Sequence, residues 1–579
     1  MGHQDERFPL RTLREYALIA DGERGALIGP NGDVPWLCVP HWDSDAVFSA
    51  LIGGGGAFAV VPRAEAYTWG GHYEPGSLIW RSRWIDHQAV IESRDALAYP
   101  GEQDRAILLR RIEAHRGTAR VRVVLDPRER FGEGRLKRVR HDGDVWTGRC
   151  GDLHVRLTGL DAVSDRDGVL AWEVDVEEGG FHDIVLELSR EALPAERPVA
   201  EALWRRTADA WSAAVPERIE SIAPTDARHA YAVLRGLTGA SGAIVAAATM
   251  SLPERADQGR NYDYRYAWIR DQCYAGQAAG AGEALPLLDD AVRFVGARLL
   301  EDGPQLKPAY TTRGGRVPDQ RHLDLPGYPG GSDVLGNHVN AQFQLDALGE
   351  SLLLLATAAR HGRLDDDGWR AAHVAADAIG ERRNDPDAGI WELSPKRWTQ
   401  SALACVAGLK GIAQHADRAS ASRWEDLASS MLDEASRTML EPSGRWRRAQ
   451  DDPGLDAALL LGQVRGALPA DDPRSVLTRQ AVLEDLGQEE FMYRFRPDER
   501  PLGEAEGAFL LCGFITSLAL HQSDERVAAA RWFERNRAAC GPPGIISEEY
   551  DVSQRQLRGN LPQAFVHALL LESAIRLAD

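Results

Sequence analysis

The spacing of apolar positions divides the chain into two unlike halves. From Arg11 to about Leu188, short apolar runs such as AFAVVP, QAVIES, ARVRVVLDP, DLHVRLTGL and FHDIVLELS are separated by turn signals, among them GPNG, GGGG, DPRER and HDGD. Runs of that length with that punctuation predict antiparallel strands packed as a β-sandwich over residues 1–190. AERPVAEALWRRTADAWSAAVPERI, residues 195–219, then carries Ala, Leu and Trp at helical spacing, so residues 191–225 are expected to form a linker helix. Beyond Asp226 the period changes to long helical runs, from RHAYAVLRGLTG through NAQFQLDALGESLLLLATAARHG to LPQAFVHALLLESAIRLA. Ten or more helices joined by loops of unequal length predict a toroid of paired helices over residues 226–579, with the long loops gathered at one mouth.

Two stretches break both periods. In NYDYRYAWIRD, residues 261–271, Tyr262, Tyr264, Tyr266 and Trp268 alternate with Asp263, Arg265 and Ala267 for about seven residues, as in a strand. The chain then enters QCYAGQAAGAGEALPLLDDAVRFV, which reads as helix. LKPAYTTRGGRVPDQRHLDLPGYPGGSDVLGN, residues 306–337, is a long loop whose Tyr, His and Arg content points to function rather than disorder. In the β-rich half only HWDS, residues 41–44, draws notice: a loop tryptophan beside an acid would face a neighbouring domain if exposed, but a structural role is the favoured reading.

Composition narrows the chemistry. The 579 residues carry 87 acidic and 67 basic side chains, a formal net charge of -20, which repels polyanions and gives no footprint for nucleic acid or an anionic membrane. A neutral small-molecule partner fits better, and a homo-oligomer stays compatible with these numbers. The opening MGHQDERFPL has no apolar signal region and no run of 18 or more apolar residues occurs, so the expected location is cytoplasmic. Six cysteines, spread without a CxxC pair or His clustering, read as free buried thiols. No metal-ligand spacing appears and no cofactor is expected. Sixteen tryptophans suit sugar stacking but equally suit cores.

Four polar words stand at helix edges: Tyr264–Asp271, Gly389–Glu392, Tyr493–Phe495 and Ser547–Asp551. Two carboxylates facing a sugar suffice for glycoside hydrolysis, one protonating the leaving oxygen and the other activating water. Ile390 and Trp391 would give Glu392 an apolar wall, which disfavours its anion and suits a general acid. Of the adjacent Glu548 and Glu549, one must point elsewhere or share a proton. Taken singly, the acids read more readily as surface acids or a solvated face, and Arg270 with Asp271 as a structural ion pair.

Their order changes that reading. DYRYAWIRD, GNHVNAQFQLDALGE, DAGIWEL, YRF with EGAFLLCGF, and SEEYD with GNLPQAFVHALLLESA together resemble glycoside hydrolase family 15, the glucoamylase, trehalase and glucodextranase family. YALIADGERGALIGPNGDVPWLCVPHWDS likewise resembles the β-sandwich that precedes the barrel in bacterial members. The resemblance implies an (α/α)6 barrel behind the sandwich and hydrolysis of a terminal α-glucosidic bond with inversion. It implies Glu392 as general acid, Glu548 as general base, and Arg270 with Asp271 as a clamp on the 4-OH and 6-OH of the terminal glucose. Tyr264, Trp268, Trp391, Arg494 and Glu549 would complete the sugar site. Two departures, Asp333 in GGSDVLGN and Ala402 in TQSALAC, replace expected basic or long polar side chains. They leave open a trehalose, an α-gluco-oligosaccharide or an unusual α-glycoside conjugate, and with them a carbohydrate-binding role without turnover. Phosphorolysis is disfavoured, because a carboxylate at Glu548 would repel phosphate.

Overall fold

The computed structural model describes residues 8–161, 164–166, 169–255 and 260–579. The first seven residues of the MGHQDERFPL segment therefore lie outside the description.

The N-terminal half is an antiparallel β-sandwich. An eight-stranded sheet runs, in spatial order, through Leu136–Asp142, Val145–Cys150, Leu153–Thr158, Phe181–Ser189, Arg105–Arg116, Val90–Leu97, Trp80–Ile85 and Thr68–Tyr73. A four-stranded sheet of Ser164–Arg166, Val169–Val176, Ala119–Asp126 and Ala57–Pro62 covers it. Ala119–Asp126 alternates buried and exposed residues along its first half, and its buried Val121 and Val123 share a core with Trp80, Ile112 and Leu186 of the larger sheet. A third sheet, Ala17–Ala20, Gly25–Ile28, Trp36–Cys38 and Ala46–Phe48, is buried on both faces, because its other face meets the helical half.

Helix α1 (Ala200–Ala214) follows and lies on the sandwich: Trp211 stacks on Tyr99 at 4.0 Å and the Trp204 indole donates to Asp183 at 3.0 Å. Among the described residues twelve further helices build the barrel. Six form the inner ring: α3 (Ile269–Ala281), α5 (Leu345–Arg360), α7 (Thr399–Ala413), α9 (Leu461–Val464), α11 (Leu510–Gln522) and α13 (Ala564–Arg576). Each touches the next and α13 closes on α3. The outer partners are α2 (Pro224–Leu237), α4 (Leu285–Asp302), α6 (Asp366–Arg382), α8 (Arg418–Thr438), α10 (Pro473–Leu486) and α12 (Arg526–Arg537). The two rings differ as their sequences require. In α11 nearly every residue is apolar and buried, whereas α8 buries a single stripe through Trp424, Ala428, Met431 and Ala435. This is an (α/α)6 barrel behind a β-sandwich.

Two local expectations are corrected. The run after Asp271 is two helices rather than one, because Gly282 ends α3 and Pro286 sits in the first turn of α4. The strand read over Tyr262–Trp268 is regular only at Ala267–Trp268, paired with Ala309–Tyr310; the rest meets residues 246–251 through single bonds such as Ala247 N to Tyr264 O. Trp42 of HWDS is buried, its indole donating to Gly22 O at 2.8 Å, in keeping with the structural role favoured for it from the sequence. Its loop nevertheless meets the barrel, since the Arg265 guanidinium donates to Ser44 O at 2.7 Å. All six cysteines are free, five buried and Cys540 half-buried. Among the described residues no helix is long and apolar enough to cross a membrane.

Candidate active site

The inner helices begin at one end of the barrel, and their N-caps are Trp268, Gln344, Trp398 and, at the 3-10 turn leading into α9, Asp456, then Phe509 and Gln563. Only Asp456 caps with its side chain, accepting from Ala458 N. Of the other starts, Trp268, Phe509 and Gln563 line the space above the ring, while Gln344 holds Arg270 and the Trp398 indole donates to Asp387 O. The same arrangement points the positive ends of the helix dipoles toward that space, where carboxylates collect.

That space is a cavity of about 310 Å³ lined by Tyr262, Tyr264, Trp268, Arg270, Asp271, Trp391, Glu392, Arg494, Phe509 and Glu548, with Glu254, Arg260, His338 and Glu506 at its margins. Every sequence-predicted site residue except Glu549 thus reaches one cavity. Neither Asp333 nor Ala402 does. Asp333 is turned into its own loop, accepting from His322 Nδ1 at 2.6 Å and from the Leu323 and Leu325 amides at 3.0 Å.

One wall is aromatic. Tyr264 and Trp268 meet edge to face at 5.4 Å, and each holds a carboxylate. Trp268 Nε1 donates to Glu392 Oε1 at 2.7 Å, while the Tyr264 hydroxyl donates to Glu548 Oε1 at 3.4 Å. Glu392 also lies 3.8 Å from the Arg270 guanidinium, and its backbone is left-handed at φ 56°. Polar donors therefore hold this carboxylate; Ile390 and Trp391, expected to wall it, line the same cavity, and the Trp391 indole donates to both oxygens of Asp456 at 2.9 Å. Arg270 is fixed from behind by Gln344 at 2.8 Å and Asp346 at 3.0 Å. Asp271 is buried with one carboxylate oxygen lacking any hydrogen-bond partner in the protein, and burial pushes its pKa up to about 7.

The opposite ionic group was not visible in the sequence. Arg260 and Arg494 lie among Glu254, Glu506, Glu548 and Glu549. Arg260 bonds Glu254, Glu506 at 2.7 Å and Glu549 at 3.1 Å; Arg494 bonds Glu506 at 2.8 Å and lies with its guanidinium 4.8 Å from the Phe509 ring centre. Four carboxylates against two guanidiniums cannot all ionise at low cost. Burial, and then Glu254, drive Glu548 well above the ordinary carboxylate range. Burial pushes Glu549 up to about 8 despite Arg260, whereas Arg494 and Arg260 outweigh burial and hold Glu506 below its usual value.

Glu548 and Glu549 separate because the chain is extended there, entering the strand Glu549–Asp551, so successive side chains leave opposite faces. Glu548 keeps one buried oxygen, Oε2, unpartnered; Glu549, fully buried, accepts from Arg260 and from Gly507 N at 2.8 Å. Glu254 and Arg260 lie in a stretch with no periodic or motif signal. Glu506, Gln344 and Asp346 fall within EGAFLLCGF and GNHVNAQFQLDALGE, where polar residues entering apolar helices were the available clue.

Comparison with known proteins gives the family and the fold. The family model for glycosyl hydrolases family 15 matches residues 227–575, and a model for the trehalase-like N-terminal region matches residues 10–210. A trehalase of Mycolicibacterium smegmatis is 29% identical over 616 aligned positions, covering 98% of this chain and 92% of that protein. A trehalase of Thermoplasma acidophilum is 25% identical, covering 96% and 98%. Among solved structures, a bacterial glucoamylase complexed with acarbose superposes with a TM-score of 0.70 at 14% identity, covering 98% of this chain and 96% of that one, a likeness of fold.

Proposed function

The chain belongs to glycosyl hydrolases family 15 and is a glycoside hydrolase, and we propose that it is an inverting, exo-acting α-glucosidase whose foremost substrate is trehalose. Glu392 is the general acid and Glu548 the general base. Arg270 and Asp271 hold the terminal glucose, with Tyr264, Trp268, Trp391 and Arg494 around it, while Glu549 serves from behind by holding Arg260 and Arg494 in place. The organisation is a β-sandwich over 1–190, a linker helix over 191–225 and a catalytic barrel over 226–579.

The observation that carries this reading is that Glu392 and Glu548 meet one cavity from the two ends of the Trp268–Tyr264 wall. Two rings between the carboxyls leave room for a sugar C1 and a water, the arrangement inversion requires at about 6.5–9.5 Å. A small cavity with a polar floor takes one chain end, which supports exo action. The unpartnered oxygens of Asp271 and Glu548 suit a sugar hydroxyl and the attacking water respectively. Trehalose comes first because relatives aligned over nearly the whole chain carry that name. Other α-glucosides, isomalto- and malto-oligosaccharides included, remain within the same chemistry.

Proton NMR of the anomeric region tests the proposal with trehalose, maltose and isomaltose in parallel. Inverting hydrolysis of trehalose releases α- and β-glucose in about equal initial amounts, because only the attacked residue changes configuration. From maltose or isomaltose, the attacked residue appears first as β-glucose. Initial release of α-glucose alone from trehalose, or no turnover of any of the three, refutes the reading.

A further inference from the structure

A second concavity, of about 610 Å³, lies in the β-sandwich and shares no lining residue with the catalytic cavity. Arg135, Lys137, Arg138, Arg149 and Arg190 converge on it from the hairpin Leu136–Cys150 and from the end of the strand Phe181–Ser189. Among the described residues none of the five forms an ion pair; Arg149 donates only to a backbone carbonyl, Asp152 O at 3.2 Å. Two acids, Glu129 and Asp152, complete the charged lining, and the Glu129 carboxylate is occupied by the Asp152 amide at 3.1 Å. A smaller cleft beside it shares Glu129, Asp152 and Arg190 and adds Arg130 and the acid Asp45.

In a chain of net charge -20, five cations without carboxylate partners on one concave surface are anomalous. They repel one another, and solvated basic residues ordinarily spread apart or pair with the abundant acids. The backbone is also bent to bring them together. Strand pairing slips between Lys137 and Arg140, a bulge that re-aims side chains, and Arg138 within it is left-handed at φ 55°. Arg130 and Phe131, in the adjoining loop, are left-handed as well, at φ 52° and 59°. Strained non-glycine positions of this kind cluster where a ligand is held.

We propose that this cleft binds a small phosphate-bearing polyanion, such as pyrophosphate or the phosphate chain of a nucleotide. Arginine forks match tetrahedral oxyanions, and five cations against two acids suit a ligand carrying several negative charges. The volume accommodates a small molecule, while the acidic field of the whole chain disfavours nucleic acid.

Calorimetric titration of the full chain at fixed ionic strength tests this with pyrophosphate, inorganic phosphate, sulfate and adenosine triphosphate. Saturable one-to-one binding of pyrophosphate is expected, weakened at least about tenfold in Arg138→Glu/Arg149→Glu, given the strength of charge-assisted bonds. Arg316→Glu, on the separate long loop, should leave it unchanged. Because the two reversed residues are at the surface, the unfolding midpoint and α-glucoside hydrolysis of the variant should match wild type; if it misfolds, Lys137→Gln/Arg138→Gln replaces it, with the same weakening expected. Tighter binding of the nucleotide than of pyrophosphate identifies a carried phosphate chain, and equal binding identifies the inorganic one. Absence of saturable binding of all four, or pyrophosphate binding that survives charge reversal, overturns the proposal.

Discussion

Trp268 Nε1 donates to Glu392 Oε1 at 2.7 Å, so the residue that caps α3 also fixes the carboxylate that follows Trp391 more than a hundred positions later. Glu392 needs that anchor because it sits on a turn with left-handed backbone, free to swing where a helix would hold it. Trp268→Phe keeps the ring and removes the donor. A hydrogen bond to a charged group contributes about 1.5–3 kcal/mol, so kcat/KM should fall about tenfold to hundredfold while the fold is kept. Steady-state kinetics on trehalose decide it; unchanged kcat/KM removes Trp268 from the positioning role.

The two acids differ in what their loss should do. Glu392→Gln and Glu548→Gln should each lower kcat by about a hundredfold to ten-thousandfold, the usual worth of a positioned proton-transfer group. Sugar binding, followed by intrinsic tryptophan fluorescence, should persist in both. Full activity in Glu548→Gln would shift attention to Glu549.

pH dependence follows from the carboxylate group around Arg260 and Arg494. A general base works deprotonated, and burial with Glu254 raises the Glu548 pKa, so activity should be lost on acidification at a higher pH than an ordinary glutamate gives. Glu254→Gln removes one of the charges that raise it, and the acid limb of the kcat/KM profile should move to lower pH. A limb that stays put or moves upward contradicts the assignment of that limb to Glu548.

Asp271 makes a different prediction because it holds substrate rather than protons in transit. Its unpartnered buried oxygen should accept a sugar hydroxyl, so Asp271→Ala should weaken kcat/KM by about fivefold to 150-fold, the cost of about 1–3 kcal/mol for one lost buried partner. The thermal midpoint should not drop, since the substitution removes a buried carboxyl whose pKa burial has already raised to about 7. A normal kcat/KM in this variant excludes the clamp.

Arg265 tests the joint between the two halves. It pairs with Asp263 at 2.8 Å, both fully buried, and reaches across to Ser44 O. Arg265→Ala leaves Asp263 as an uncompensated buried charge, for which about 3–5 kcal/mol of destabilisation is expected by denaturant unfolding. A loss under 1 kcal/mol (about the value of a surface pair) would show that water replaces the guanidinium.

Periodicity and composition along the chain determined the two architectures, the position of the change between them, and the small set of polar words that interrupt them. Those features are local: alternation selects strands, a 3.6-residue period selects helices, and an acid that interrupts an apolar helix edge is visible wherever the chain later goes. The break between α3 and α4 was legible too, in Gly282 and Pro286, but was masked by the apolar run around it. What only the tertiary structure decided is which side chains meet. Residues 254, 260, 494, 506 and 549 form one ionic group although no spacing links them, Arg265 is turned from the cavity to the sandwich, and Glu548 rather than Glu549 faces the cavity. These choices depend on desolvation and on partners brought together by ring closure of six helices. A buried charge is stable only beside its counter-charge, and the identity of that partner is a property of the closed barrel rather than of any segment.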